Sequence, residues 1–290
     1  MDVNGRLART LKASDLGRSF GVAAYRAAVN IGHKSNAAPV LVNTLAKAGT
    51  HLVMALLDAF PQYRFSGRHF TFSVIDMELP ERELRLAHLQ REVSKLRRGK
   101  YMTGHIAYHP EIAEYLDKTL LKKIYVVRDP RALVVSNAFY MKSYARHPLH
   151  ETAIRRFSTD EEFIRASILG FEQDNGTHHL RPMSERIEAF APWIEDDPRA
   201  FVIRFEDLVG AGGGGSRETQ VKLTEDLNEY LGLGADGNQI EAAADAAFDP
   251  RSATFRSGEV DGWRKYMTPE LLDLVENECA PASARIGYHF

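Results

Sequence analysis

The most constraining feature of this chain is an apolar run that leads through a short turn into an amphipathic helix. It occupies residues 40–60 and reads VLVNTLAKAGTHLVMALLDAF. The apolar, β-rich residues 40–42 predict a buried strand, and apolar side chains between residues 52 and 60 recur at helical spacing. We therefore expect a strand, a tight turn and a helix in immediate succession.

The turn of this segment carries residues that suit an anion. A helix N-terminus presents backbone N–H groups and the positive end of the helix dipole. Lys47 adds a full positive charge, Gly49 lets the backbone approach a ligand closely, and Thr50 offers a hydroxyl. The motif is not a Walker A loop, because its lysine precedes the glycine. We expect a loop that binds phosphate or a similar oxyanion.

Composition narrows the class of protein. The 290 residues are 44% hydrophobic and 26% charged, as in a globular protein with a full core. A net charge of −2 argues against a nucleic-acid binder, and the single Cys279 excludes an internal disulfide. Because the chain has no apolar run of about 20 residues and no secretory signal, we expect no membrane span and a cytoplasmic location.

The chain is expected to form a single domain over residues 1–290. Residues 1–34 carry six lysines and arginines and predict a helical N-terminal extension with a solvated basic face. A run of glycines makes residues 210–216 a predicted mobile loop. The aromatic-rich residues 61–80 are predicted to form a loop that covers the core or walls a substrate site.

The predicted helices include residues 163–171 and a last helix from 269 to about Cys279. Two further apolar runs, at residues 123–127 and 201–205, predict core strands. With the first strand they indicate a mainly parallel sheet flanked by helices. Arg128 follows the run at 123–127, so it should lie where open α/β sheets bind ligands. Ser136 lies two turns into the next predicted helix, and a guanidinium with a hydroxyl there suits a second phosphate.

An extended run at residues 101–104 ends in His105, whose side chain is expected to project towards the ligand edge of the sheet. His105 and His109 have the spacing of a zinc pair, but Pro110 interrupts them and no third ligand accompanies them. The sequence therefore predicts no metal site.

Separated segments of the chain resemble the sulfotransferases that use 3′-phosphoadenosine 5′-phosphosulfate (PAPS), in the order that this family has them. Lys47–His51, which reads KAGTH, is similar to the family's K-S-G-T-T loop for the 5′-phosphosulfate. Arg128–Arg131 with Ser136 matches the 3′-phosphate motif R-D-P-R-D-x-x-x-S and keeps its Arg-to-Ser spacing.

Two later segments and one short motif extend the resemblance over residues 40–265. Arg204–Leu208 looks like the family's R-Y-E-D-L segment, and residues 255–263 resemble R-K-G-x-x-G-D-W. Thr103–His105 stands where the family has K-T-H, whose histidine is the catalytic base.

The resemblance implies a three-layer α/β fold of the P-loop NTPase-like sulfotransferase type. It also implies transfer of a sulfuryl group from PAPS to an acceptor hydroxyl without a metal, which leaves 3′-phosphoadenosine 5′-phosphate (PAP). His105 would be the general base, with an imidazole near its normal pKa, and Lys47 would act at the leaving phosphate. The donor-binding residues that it implies are Lys47, Ala48, Gly49, Thr50, His51, Arg128, Ser136, Arg256, Ser257 and Gly258.

The chain departs from the family pattern at several positions. Ala46 replaces a proline before the loop, and Leu52 stands where many cytosolic members have a tryptophan that stacks on adenine. Thr103 and Ser257 each replace a lysine. Lys47 and Arg128 are therefore expected to carry more of the electrostatic work.

Two other functions remain open at the level of sequence. One is a P-loop-like nucleotide phosphotransferase such as a kinase, although no Walker lysine or Mg²⁺ carboxylate stands out. The other is a catalytically silent nucleotide-binding module on the same fold, which the lysine replacements leave open. The acceptor is expected to be a small-molecule, lipid or glycan hydroxyl, and the oligomeric state is left open.

Overall fold

A computed structural model of the chain describes residues 33–73, 82–173, 176, 179–248 and 258–290. Seven strands lie in these ranges: β1 Val40–Thr44, β2 Arg64–Phe72, β3 Lys100–Ile106, β4 Lys122–Val127, β5 Phe171–Glu172, β6 His179–Leu180 and β7 Phe201–Arg204. The helices of the same ranges are α1 Thr50–Ala59, α2 Arg82–Ser94, α3 Pro110–Asp117, α4 Pro130–Ser143, α5 His150–Arg156, α6 Asp160–Leu169, α7 Met183–Glu188, α8 Pro192–Glu195, α9 Phe205–Leu208, α10 Arg217–Leu231, α11 Gly237–Ala247 and α12 Pro269–Arg285.

Five strands of the described part form one parallel sheet in the order β2-β3-β1-β4-β7. The predicted strands at the first apolar run, at 123–127 and at 201–205 are confirmed as β1, β4 and β7. Because the strands are parallel, the residues that follow β1, β3 and β4 meet at one edge of the sheet. This edge therefore brings together segments that are far apart in sequence.

Helices flank the sheet and confirm the predicted three-layer α/β architecture. In one group α1 packs against α11, and α11 packs against α10. In a second group α4 packs against α6 and α12, and α7 packs against α12. The central strands β1 and β4 are buried along almost their whole length, as expected for a parallel sheet that is covered on both faces.

The prediction of a loop over residues 61–80 was wrong where β2 lies. Ser66, Phe70 and Phe72 are buried and mostly alternate with more exposed neighbours, so this segment forms a half-buried edge strand. The register of β2 against β3 shifts between Phe65 and His69, and this shift interrupts the alternation. The two-residue period that is typical of a strand is therefore hard to see in the sequence. Residues 74–81 lie outside the described part of the chain.

Two predicted helix ends also differ from the structure. The helix predicted over residues 163–171 ends at Leu169, because Gly170 adopts a φ of 76° and the chain turns into β5. The last helix continues beyond Cys279 to Arg285, with Pro281 inside it, because Ala282 and Ser283 extend its buried face.

The remaining predictions about chain organisation stay predictions. Residues 1–32, which make up most of the expected basic extension, lie outside the described ranges. In the glycine run, a short 3₁₀ turn spans Ala211–Gly213, and the Gly213 carbonyl accepts a hydrogen bond from Val260 at 2.9 Å. Within the described ranges no helix is long and apolar enough to cross a membrane.

The Asn43 side chain joins β1 to the end of β3. Its Nδ2 atom donates to the Ile106 carbonyl at 3.0 Å, and its Oδ1 atom accepts from the Ile106 N–H at 2.8 Å. Both residues are buried. This two-fold hydrogen bond fixes the chain direction immediately after His105.

Replacing Asn43 with alanine should destabilise the fold by about 1–3 kcal/mol, because the buried N–H of Ile106 would lose its acceptor. Chemical denaturation measures this change. Asn238→Ala, an exposed substitution near the start of α11, is the control and should shift stability by no more than about 0.5 kcal/mol. Equal effects of the two substitutions would contradict this role of Asn43.

Candidate functional site

A cavity of about 860 Å³ opens at the carboxyl edge of the sheet. Most of the residues that the sequence singled out line it, although they come from four separate segments. These are Lys47, Gly49, Thr50, His51, His105, Arg128, Ser136 and Gly258. Ala48 is buried in the core instead, and Arg256 and Ser257 lie outside the described residues.

The loop between β1 and α1 has an unusual backbone. Lys47 adopts a left-handed conformation with φ of 75°, which is uncommon for a residue with a side chain and is typical of functional loops. Gly49 has a φ of 108° and precedes the first residue of α1, Thr50. The loop thus bends back so that the first turn of α1, with its outward N–H groups, faces the cavity.

The Lys47 ammonium lies against an aromatic ring. Its Nζ atom is 3.9 Å from the centroid of the Tyr140 ring, and Tyr140 also lines the cavity. The aromatic face attracts the cation and holds it in the cavity. Tyr140 lies one helical turn after Ser136 on α4, so the two residues share one face of that helix.

Phe205 supports both predicted phosphate-binding groups. The guanidinium carbon of Arg128 lies 3.7 Å from the centroid of the Phe205 ring. The same ring packs so closely on Gly49 that a Cβ atom there would come within 2.9 Å of it. One aromatic side chain therefore holds the glycine loop and the arginine at a fixed separation.

The Arg128 side chain also bridges two backbone segments. Its Nη1 atom donates to the Lys47 carbonyl at 3.3 Å, and its Nη2 atom donates to the Glu259 carbonyl at 3.4 Å. The adjacent Asp129 carboxylate pairs with Arg131 and caps α4. The guanidinium of Arg128 is thus directed to the cavity by neutral carbonyls and an aromatic ring.

His105 contacts the end of β1. Its Nδ1 atom lies 2.9 Å from the Thr44 carbonyl and 3.0 Å from the Thr44 Oγ1 atom, which in turn lies 2.8 Å from Thr50 Oγ1. Because a carbonyl only accepts, Nδ1 carries the proton in the neutral ring and Nε2 is the unprotonated nitrogen. This tautomer leaves Nε2 as the proton acceptor.

The expectation of a normal imidazole pKa was wrong. Desolvation lowers the pKa of His105 to about 4, helped by the nearby His69, Arg186 and Lys47, while the hydrogen bond to Thr44 opposes the shift. The His69 and His105 rings meet edge to face with centroids 4.9 Å apart. His105 is therefore neutral at physiological pH in the unliganded protein.

Several cavity residues were not identified from the sequence. Tyr140 could have been found from its spacing to Ser136, four residues earlier on the same helix. His69 could not, because the aromatic-rich sequence around it predicts a loop; its Nδ1 atom lies 2.9 Å from Thr103 Oγ1. Arg186 lies on α7, outside every recognised motif, and only the tertiary structure brings it to the cavity.

No group of three or more histidine, cysteine, aspartate or glutamate side chains that could hold a metal ion occurs among the residues that the structure describes. Transition metals and zinc would need such a group. The charged side chains that line the cavity are mainly cationic, and these suit anionic ligands.

Comparison with known proteins identifies the class. The model of the sulfotransferase domain family matches residues 38–211, which is more than half of the chain. The chain therefore belongs to the sulfotransferase family. A search of curated proteins finds no significant match.

Solved structures share the fold. The structure of mouse sulfotransferase SULT7A1 complexed with PAP has a TM-score of 0.56 and 17% identity, and the match covers 83% of each chain. That of retinol dehydratase in complex with androsterone and inactive cofactor PAP has a TM-score of 0.50 and 14% identity, and covers 87% of this chain and 81% of that chain. At such identities the likeness concerns the fold alone.

The lowered pKa of His105 predicts that its ring stays neutral as the pH falls through 6.5 and takes up a proton only near pH 4. Nuclear magnetic resonance of the histidine rings measures this titration, with His105→Gln as the variant that assigns the signal. Binding of an anionic ligand such as PAP should raise the pKa, since negative charge favours the imidazolium. A His105 signal that titrates at 6.5 without ligand would contradict the prediction.

Proposed function

We propose that the protein is a PAPS-dependent sulfotransferase that uses His105 as general base towards an acceptor hydroxyl. The observation that carries this proposal is the convergence of the glycine loop, Arg128 and His105 on one cavity at the carboxyl edge of the sheet. Family membership supports sulfuryl transfer in general. The geometry supports the assignment of individual roles.

The donor has two anionic ends, and the cavity has two groups that suit them. The first turn of α1, with Lys47 and Thr50, suits the 5′-phosphosulfate. Arg128 and Ser136 suit the 3′-phosphate, with Arg256 as a further proposed contact. Phe205 holds the two groups apart, so recognition of both phosphates distinguishes this donor from a nucleotide without a 3′-phosphate.

The proposed reaction is an in-line displacement at sulfur. The acceptor oxygen forms a bond to sulfur while the bond from sulfur to the bridging phosphate oxygen breaks, and PAP leaves. The acceptor proton passes to Nε2 of His105, which the Thr44 carbonyl holds in the required tautomer. Lys47 stabilises the negative charge that develops on the leaving phosphate.

One observation favours a catalytically silent binding module as the second candidate. Thr103 stands where the resemblance places a lysine, and the structure shows it buried, with its hydroxyl bonded to His69. A sulfotransferase with this site must therefore stabilise the charge that develops during sulfuryl transfer without a cation at residue 103. Turnover of labelled PAPS separates the two candidates, because a silent module would bind the donor and leave it intact.

The acceptor is proposed to be a small-molecule, lipid or glycan hydroxyl compound. One related fold was solved with androsterone, a small molecule. The cavity volume of about 860 Å³ accommodates a donor together with a small acceptor or the end of a larger one.

The protein should bind PAP much more tightly than AMP, because Arg128 contacts the 3′-phosphate that AMP lacks. Arg128→Ala should remove one charge-assisted contact and weaken PAP binding about 10- to 150-fold, while AMP affinity stays nearly constant. Calorimetry measures both ligands. Arg165→Ala, a substitution at an exposed position of α6, is the matched control. Equal affinity of the wild type for PAP and AMP would refute the donor assignment.

His105→Gln should reduce turnover of labelled PAPS by about 10²- to 10⁴-fold, because glutamine cannot accept the acceptor proton. PAP affinity and the circular dichroism spectrum should stay the same, which separates loss of a base from loss of the fold. A variant with the wild-type rate would show that another group accepts the proton.

A further inference from the structure

The cavity holds two cationic side chains that the proposed function does not assign to the donor. Among the described residues that line it are four lysine and arginine side chains and one carboxylate, Asp58. Lys47 and Arg128 are assigned to the donor in the proposed function. Arg181 and Arg186 come from elsewhere, because they lie after β6 and on α7, outside every segment that resembles a donor motif.

Arg186 shares the cavity with the proposed base, since both residues line it. The charge of Arg186 contributes to the lowered pKa of His105. Two hydrogen bonds hold the end of α7 and the start of α8 against the end of β3. The Tyr108 N–H donates to the Ala189 carbonyl at 2.6 Å, and Trp193 Nε1 donates to the Ile106 carbonyl at 2.8 Å. The segment that follows His105 therefore determines where Arg186 is held.

One nitrogen of the Arg186 guanidinium is left unsatisfied by the described residues. The Nη1 atom is buried and has no hydrogen-bond partner within the described part of the chain. Desolvation alone lowers the pKa of Arg186 to about 10, and no carboxylate of the described residues opposes the shift. A buried N–H group without an acceptor is costly, and oxyanions such as carboxylate and phosphate match the guanidinium fork.

The position of Arg186 indicates that the oxyanion it binds belongs to the acceptor. An acceptor that reacts must place its hydroxyl at Nε2 of His105, and the buried Nη1 atom of Arg186 belongs to a side chain that lines the same cavity. The donor phosphates are assigned to the loop after β1 and to Arg128 after β4. An anionic substituent of the acceptor would therefore meet a guanidinium that the donor leaves available.

We propose that the acceptor is a hydroxyl compound with a nearby oxyanionic substituent, a carboxylate, sulfate or phosphate, and that Arg186 is the residue that binds this substituent. The inference rests on the proposed function of the cavity, in which His105 receives the acceptor proton. It makes Arg186 a specificity-determining residue for anionic over neutral acceptors.

Binding to the PAP-saturated protein tests the inference, because PAP occupies the donor groups. The probes are three acids and their methyl esters: 3-hydroxybutyrate, 4-hydroxyphenylacetate and N-acetyltyrosine. In at least one pair the acid should bind about tenfold or more tightly than its ester, as expected for a charge-assisted contact. Arg186→Gln should abolish this preference and leave the affinities for PAP and the ester unchanged.

Two control variants accompany Arg186→Gln. Arg186→Lys keeps the charge without the planar fork and should retain part of the preference. Arg165→Gln removes an exposed arginine of α6 and should change no affinity. Partial rescue by lysine would separate recognition of charge from a purely structural role of the side chain.

Defined outcomes overturn the inference. It fails if PAP binds while every acid binds no more tightly than its ester, or if the preference survives Arg186→Gln. It also fails if Arg186→Gln slows turnover of labelled PAPS equally with an acid and its ester, since Arg186 would then act on the sulfuryl group. Failure of PAP to bind the wild type is a different result, which refutes the proposed function and the inference with it.

Discussion

The hydrogen bonds between the Asn43 amide and the Ile106 backbone connect the two central segments of the site. They hold the end of β3 against β1, so that His105 reaches the Thr44 carbonyl and Thr44 reaches Thr50 at the start of α1. A neutral histidine, a helix N-terminus and a lysine loop thus share one small region. Without this register the side chains would lie at one edge of the sheet but would not face one another.

Electrostatics explains the character of this region. Positive groups accumulate at the cavity, and desolvation lowers the pKa of His105 to about 4. Neutral partners hold two of the cations, because Lys47 lies on the Tyr140 ring and Arg128 lies on the Phe205 ring and donates to carbonyls. Both cations line the cavity, where they favour an anionic ligand.

The segment that begins at Arg204 illustrates how a motif can support a site without entering the chemistry. Glu206 accepts hydrogen bonds from the Asp129 N–H at 2.9 Å and from the Tyr288 hydroxyl at 2.6 Å. Arg204 donates to the Gly287 carbonyl at 2.8 Å. These contacts join the start of α4 to the C-terminal segment, and they set Phe205 between Arg128 and Gly49. The segment therefore maintains the separation of the two proposed phosphate sites.

The sequence by itself determined the parallel α/β class, the strand–loop–helix segment around Lys47 and the strand that precedes Arg128. These features follow from local patterns, because the spacing of apolar residues, the turn residues and the charged residues all act within a few positions of the chain. Only the tertiary structure decided the edge strand that carries His69, the low pKa of His105 and the presence of Arg186 at the cavity. The reason is physical: burial and the fields of neighbouring charges depend on residues that are distant in sequence and meet only when the strands pair in register.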